Sequence, residues 1–69
     1  MSSYIMKELG DLIKRVRRSK MLLQDEVAEF MGISRSSYIN IEQGRKALKL
    51  QEAFDLCEFL DINIKDLQI

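Results

Sequence analysis

The sequence predicts an all-α fold, one compact bundle of about five short helices spanning residues 1–69. Three observations carry that reading. Apolar residues recur at three- and four-residue steps through most of the chain, the spacing that lines one face of a helix. Gly32 and Gly44 each follow such a run, where a left-handed residue closes a helix. Proline is absent, and no repeat, linker or low-complexity tract divides the chain, so it reads as a single packed unit.

The first helix runs from about Ile5 to Ser19: Ile5, Leu9, Ile13 and Val16 recur at helical spacing, with Leu12 beside them. Lys14, Arg15, Arg17 and Arg18 crowd its last turns, where cations suit the helix dipole. A second helix begins near Leu23 or Gln24 and stops at Gly32; a third starts after Ser34, a good N-cap, and stops at Gly44. After a loop at Arg45–Lys49, a fourth helix is marked by Leu50, Ala53, Phe54, Cys57 and Leu60, with Leu56 flanking the stripe. A last short turn or helix, Ile64 to Gln68, follows Asp61-Ile62-Asn63.

At 69 residues the chain lies near the lower limit for a core that has no metal or disulfide to help it. Cys57 is the only cysteine and histidine is absent, so an intrachain disulfide is impossible and a zinc site close to excluded. No cofactor is expected. The same inventory argues against an enzyme: there is no histidine, no nucleophile motif and no phosphate loop, and Cys57 falls on an apolar stripe where a thiol is inert. The apolar runs are too short to span a membrane and the N-terminus lacks a signal peptide's pattern, so a reducing cytoplasm is the expected setting. Net charge is zero but unevenly placed: residues 1–46 carry nine Lys/Arg against six Asp/Glu, and residues 47–69 two against five. A basic front and an acidic back suit a protein that turns one face to phosphate.

Residues 24–44 say most about function. Ala28 is small where two helices must cross closely, Gly32 permits a sharp turn, and Ser34 caps the helix beyond it. Val27, Met31, Ile33, Tyr38 and Ile41 put apolar side chains on the inner faces of both helices, leaving Arg35, Ser36 and Asn40 on the outer face of the second. Two short helices around such a turn aim the second into a DNA groove.

These residues, with others at matching spacing on either side, resemble the Cro/C1-type helix-turn-helix domain of phage repressors and small bacterial regulators. The resemblance covers residues 9–67. Leu9-Gly10, Ile13 and Arg17 carry it in the first helix, Gln24 and Val27-Ala28 in the second, and Gly32-Ile33-Ser34-Arg35 across the turn. Ile41-Glu42-Gln43-Gly44-Arg45 and Leu60-Asp61-Ile62 continue it in order, a match far more specific than a lone short motif.

The resemblance implies that Ser34, Arg35, Ser36 and Asn40 meet base edges in the major groove. A guanidinium at Arg35 can bond both acceptors of a guanine, and Asn40 can pair similarly with adenine. Ile39, at the rim of the helix, either touches a thymine methyl or covers the loop. Gln24 is expected on a phosphate at the start of the second helix, with Gln43, Arg45 and Lys46 holding the other side of the groove. Arg17 and Glu42 would form an ion pair of structural weight. Tyr38 is expected in the core, with a phosphate contact from its hydroxyl as the sharper alternative. Leu23 stands where the family has a capping residue, Leu48 where it has proline and Asp61 where it has glycine.

The resemblance therefore implies a sequence-specific regulator of transcription, a repressor, bound to double-stranded DNA and encoded by a bacterium, phage or plasmid. An antitoxin-like module that also binds a partner protein is the alternative, although no toxin-binding extension is visible. A homodimer is expected: Ile62, Ile64, Leu67 and Ile69 form an apolar end, of which Ile62 and Leu67 are expected to pack on the fourth helix and the remainder to meet the symmetry mate.

Overall fold

The residues described by the structure, a computed structural model, are 3–63, and among them are four helices: α1 Ser3–Ser19, α2 Gln24–Met31, α3 Arg35–Glu42 and α4 Leu50–Leu60. The first helix begins two residues before the apolar pattern does. The expected fifth element at 64–68 lies outside the described residues. Packing follows the apolar faces: α3 lies against both α2 and α1, and α4 packs on α1.

Ile13, Val27, Ala28, Tyr38, Ile41, Leu56 and Leu60 form the buried core, with Leu9, Val16, Leu22, Met31, Ile33, Leu48 and Ile62 packed around it. One expectation is corrected in α4. Leu50 is 71% and Phe54 49% exposed, whereas Leu56 is buried. The inward stripe is Ala53, Leu56, Cys57 and Leu60, which is also spaced as a helix face, so α4 is rotated relative to the stripe read through Leu50 and Phe54. Cys57 is buried within it, and burial pushes its thiol pKa up, away from the reactive thiolate.

All four helices end alike. A residue just past each takes a left-handed conformation: Met21 (φ 58°), Gly32 (71°), Gly44 (76°) and Asp61 (59°). Its amide donates to the carbonyl three residues back, and the next amide reaches five back. Met21 thus bonds Arg18 and Leu22 bonds Arg17; Gly32 bonds Glu29 and Ile33 bonds Ala28; Gly44 bonds Ile41 and Arg45 bonds Asn40; Asp61 bonds Glu58 and Ile62 bonds Cys57. This is the Schellman arrangement, in which the second residue usually returns an apolar side chain to the helix. Leu22, Ile33 and Ile62 do so, packing on the core. Arg45, at the same position after α3, is exposed.

Helix starts are less uniform. Ser34 Oγ accepts the Ser37 amide at 3.1 Å, the cap expected from the sequence. Leu23 and Lys49 have no side-chain acceptor, but Glu26 accepts the Leu23 amide at 2.8 Å and Glu52 the Lys49 amide at 2.9 Å. Each is half of a reciprocal capping box, so the loss at Leu23 is partly offset.

Candidate nucleic-acid interface

The helix that presents the candidate residues is fixed by its inner face. Tyr38, Ile41 and Glu42 of α3 are buried, and Glu42 is where three helices meet. Its carboxylate accepts Arg17 Nε at 2.6 Å and Nη2 at 3.4 Å from α1, Gln24 Nε2 at 3.2 Å from α2, and the Tyr38 hydroxyl from its own helix. Arg17 Nη1 also donates to the Leu22 carbonyl at 2.8 Å, tying in the α1–α2 turn.

Burial pushes the Glu42 carboxyl pKa up, but hydrogen bonds from Arg17, Tyr38 and Gln24 outweigh it and hold the group below its ordinary value of 4.5. The Glu42 hydrogen bond raises the pKa of Arg17. Burial first, then the hydrogen bond to Glu42, raises that of Tyr38. The ion pair expected of Arg17 and Glu42 is present. The phosphate contact considered for Tyr38 is not available: its side chain is fully buried and its hydroxyl proton is directed at Glu42.

A close approach completes the clamp. Gly10 of α1 runs so near the end of α3 that an added β-carbon would lie 2.5 Å from the Glu42 carbonyl oxygen. Gly44 meets α1 in the same way: its φ is 76°, and a β-carbon there would lie 2.8 Å from the Lys7 Cα. The C-terminal end of α3 is therefore pinned to α1, while Ser34, Arg35 and Ser36 at its N-terminal end are exposed.

On the outer side, Ser34, Arg35 and Ser36 are exposed and Asn40 is half-exposed. Ser36, Asn40 and Gln43 follow one another at four- and three-residue steps, so they share a stripe along the helix. Arg45 and Lys46 are brought back to that stripe because both of their amides donate to the Asn40 carbonyl, at 2.9 and 3.3 Å. The candidates thus form two groups: Gln24, Ser34, Arg35 and Ser36 at one end of α3, and Asn40, Gln43, Arg45 and Lys46 at the other. From Arg35 to Gln43, eight positions on, the two groups span about 12 Å along the axis, close to the width of a DNA major groove.

Gln24 is half-buried rather than free. Its amide nitrogen is held by Glu42, which fixes the side chain at the start of α2, where backbone N–H groups point outward. It borders a cleft of about 380 Å³ between the end of α1 and the starts of α2 and α3, lined by Arg17, Arg18, Leu23, Gln24, Asp25 and Arg35. Two of these were not singled out in the sequence. Arg18 read only as a cation at a helix end, yet the fold turns it to the same cleft as Arg35. Asp25 lies 3.7 Å from Arg35 Nε in an exposed ion pair, a contact that no local pattern signals because it crosses from α2 to α3.

A family model described as "Helix-turn-helix" matches residues 13–67. A protein of Thermococcus kodakarensis that carries the name of an HTH-type transcriptional regulatory protein is 35% identical over 52 residues, which are 75% of this chain and 16% of that relative. An uncharacterized HTH-type transcriptional regulator of Methanocaldococcus jannaschii is 33% identical over 57 residues, 83% of this chain and 86% of that relative. The chain thus spans about a sixth of the first relative's length and most of the second's.

Proposed function

The chain belongs to the helix-turn-helix family, of the Cro/C1 type, and from that premise we propose that it reads a specific operator through α3, represses transcription by occupying it, and binds it as a homodimer. The division of α3 carries this reading. Its inner positions are locked by the core and by Glu42, while Ser34, Arg35 and Ser36 are exposed and Asn40 is half-exposed. Arg35 reads guanine, Asn40 reads adenine, and the two serines serve a base or a phosphate.

Backbone contacts bracket them. Gln24 and the first amides of α2 take a phosphate on one side, and Gln43, Arg45 and Lys46 take the other. Arg45 supports the arrangement: the equivalent residues of the other three turns are apolar and packed, whereas the cation at this one turn is left outside, where a phosphate can reach it.

The test is a pair of variants. Arg35→Ala should lose about 1–3 kcal/mol on the operator and relax base preference, whereas Arg45→Ala should weaken all sequences alike and lower the salt dependence. The operator is first obtained by selection from a random DNA pool, and binding is then measured on it and on a scrambled duplex. If Arg35→Ala loses affinity equally on both, α3 does not read bases through that residue.

A further inference from the structure

On the side of α2 away from Arg35, two phenylalanines that the core does not use lie against each other. Phe30 of α2 and Phe59 of α4 stack with ring centroids 4.0 Å apart and planes within 13°, yet they remain 47% and 39% exposed. Beside them a notch of about 110 Å³ is lined by Phe30, Met31, Glu52 and Asp55. Its walls are therefore an aromatic ring, a thioether and two carboxylates. Each carboxylate has one oxygen committed, Glu52 to the Lys49 amide and Asp55 to the Gln51 side-chain amide at 2.9 Å. Among the described residues no lysine or arginine pairs with either. Glu29 and Glu58, both exposed, extend the same negative field over α2 and α4.

We propose that this face docks a basic amphipathic helix of another protein, with one lysine or arginine of that helix inserted in the notch between Phe30, Glu52 and Asp55. The chemistry selects the occupant. A long cationic side chain lays its methylenes along Met31 and the Phe30 ring and brings its charge to two carboxylates that no cation among the described residues pairs with, while apolar neighbours on the same helix face cover the stacked rings. Nucleic acid and anionic membrane surfaces are repelled by the same field. A second copy of the chain is disfavoured too, because a two-fold contact sets the same patch of both copies together and would bring this acidic patch against its own copy. Phe30 is five positions from Asp25, about 140° around α2, so the docked helix leaves the cleft at Arg35 open. The inference stands apart from the operator reading.

The experiment is an amide chemical-shift titration of the full chain with two synthetic amphipathic helical peptides of equal length, one of lysine and leucine, the other of glutamate and leucine. The lysine peptide should shift amides around residues 29–31 and 52–59. The double variant Glu52→Gln/Asp55→Asn keeps both internal hydrogen bonds and should weaken that binding at least about tenfold with operator affinity unchanged. The proposal is overturned if the lysine peptide does not bind, if both peptides bind equally, if the shifts map elsewhere, if the double variant binds as well as the parent, or if these amides shift with protein concentration alone through self-association.

Discussion

A β-carbon on Gly10 would stand 2.5 Å from the Glu42 carbonyl oxygen and 2.6 Å from that of Ile41, and backbone cannot turn aside as a side chain can. Alanine is the better helix former by about 1 kcal/mol, so propensity and packing disagree about Gly10→Ala. Packing should win: the variant is expected to lose roughly 1–3 kcal/mol as α1 is pushed off α3, seen as a lower urea midpoint. Met21 is the opposite case. Its side chain is 88% exposed and gains little, while its φ of 58° strains an L-residue. Met21→Gly should therefore stabilise by about 0.5–1 kcal/mol, the relief of strain exceeding the extra freedom glycine gives the unfolded chain. An unchanged urea midpoint for that variant would show that the strain at this turn is not felt. Neither site announces itself locally. The sequence shows that Gly10 is a glycine inside a helix, but the reason lies in a carbonyl far along the chain. Met21 conceals a turn that Gly32 and Gly44 make plain.

Between helices, the carboxylate of Glu42 joins α1, α2 and α3 through hydrogen bonds, and its acidity makes the junction sensitive to pH. The folded state holds Glu42 below 4.5, the ordinary value it regains on unfolding. Its contribution is thus complete above about pH 4.5 and is lost as pH falls from there through the folded value. Tyr38→Phe removes one donor, lets the folded value rise and should cost about 1.5–3 kcal/mol near neutrality. In urea titrations across an acid series, the gap between parent and Tyr38→Phe should be widest above pH 4.5 and narrow below it; a gap that is constant with pH would mean the hydroxyl does not act through the carboxylate. The start of α2 offers a gain. Leu23→Ser would complete the box of which Glu26 already forms half, adding roughly 1 kcal/mol to the urea stability, with no gain expected if another group already serves the free amides. At this scale the sequence is a good guide where one apolar stripe exists and a poor one where two overlap. In α2 and α3 only one face is apolar, so Val27, Ala28, Tyr38 and Ile41 could be assigned. In α4, Leu50 and Phe54 compete with Ala53 and Leu56 at equally valid spacing, and only packing against α1 and the core decides.

For the molecule as a whole, one module of this size covers little DNA, and two half-sites are the usual remedy. Sedimentation at micromolar concentration should show a dimer when operator is present, on a site whose half-sites place the recognition helices about 34 Å apart. A monomer with and without DNA, bound to an asymmetric site, would remove the dimer. Of the apolar end, Ile62 packs on the core beside α4 residues, as expected of it; Ile64, Leu67 and Ile69 lie outside the described residues. The candidate DNA face was legible because its parts are local: a cap, a turn glycine and polar residues at helical spacing. Arg18 and Asp25 were not, because their place in the cleft depends on how three helix ends converge. The arrangement of α3 also bears on how such a protein can change through descent. Arg35 and Ser36 are exposed and Asn40 lies outside the buried core, so replacements there escape the test of folding that every change at Tyr38, Ile41 or Glu42 must meet. On the proposed reading of α3, a lineage can rewrite the sequence it is attracted to in single steps, each step a stable protein, and two descendants of one ancestor can come to serve different genes while remaining nearly the same molecule.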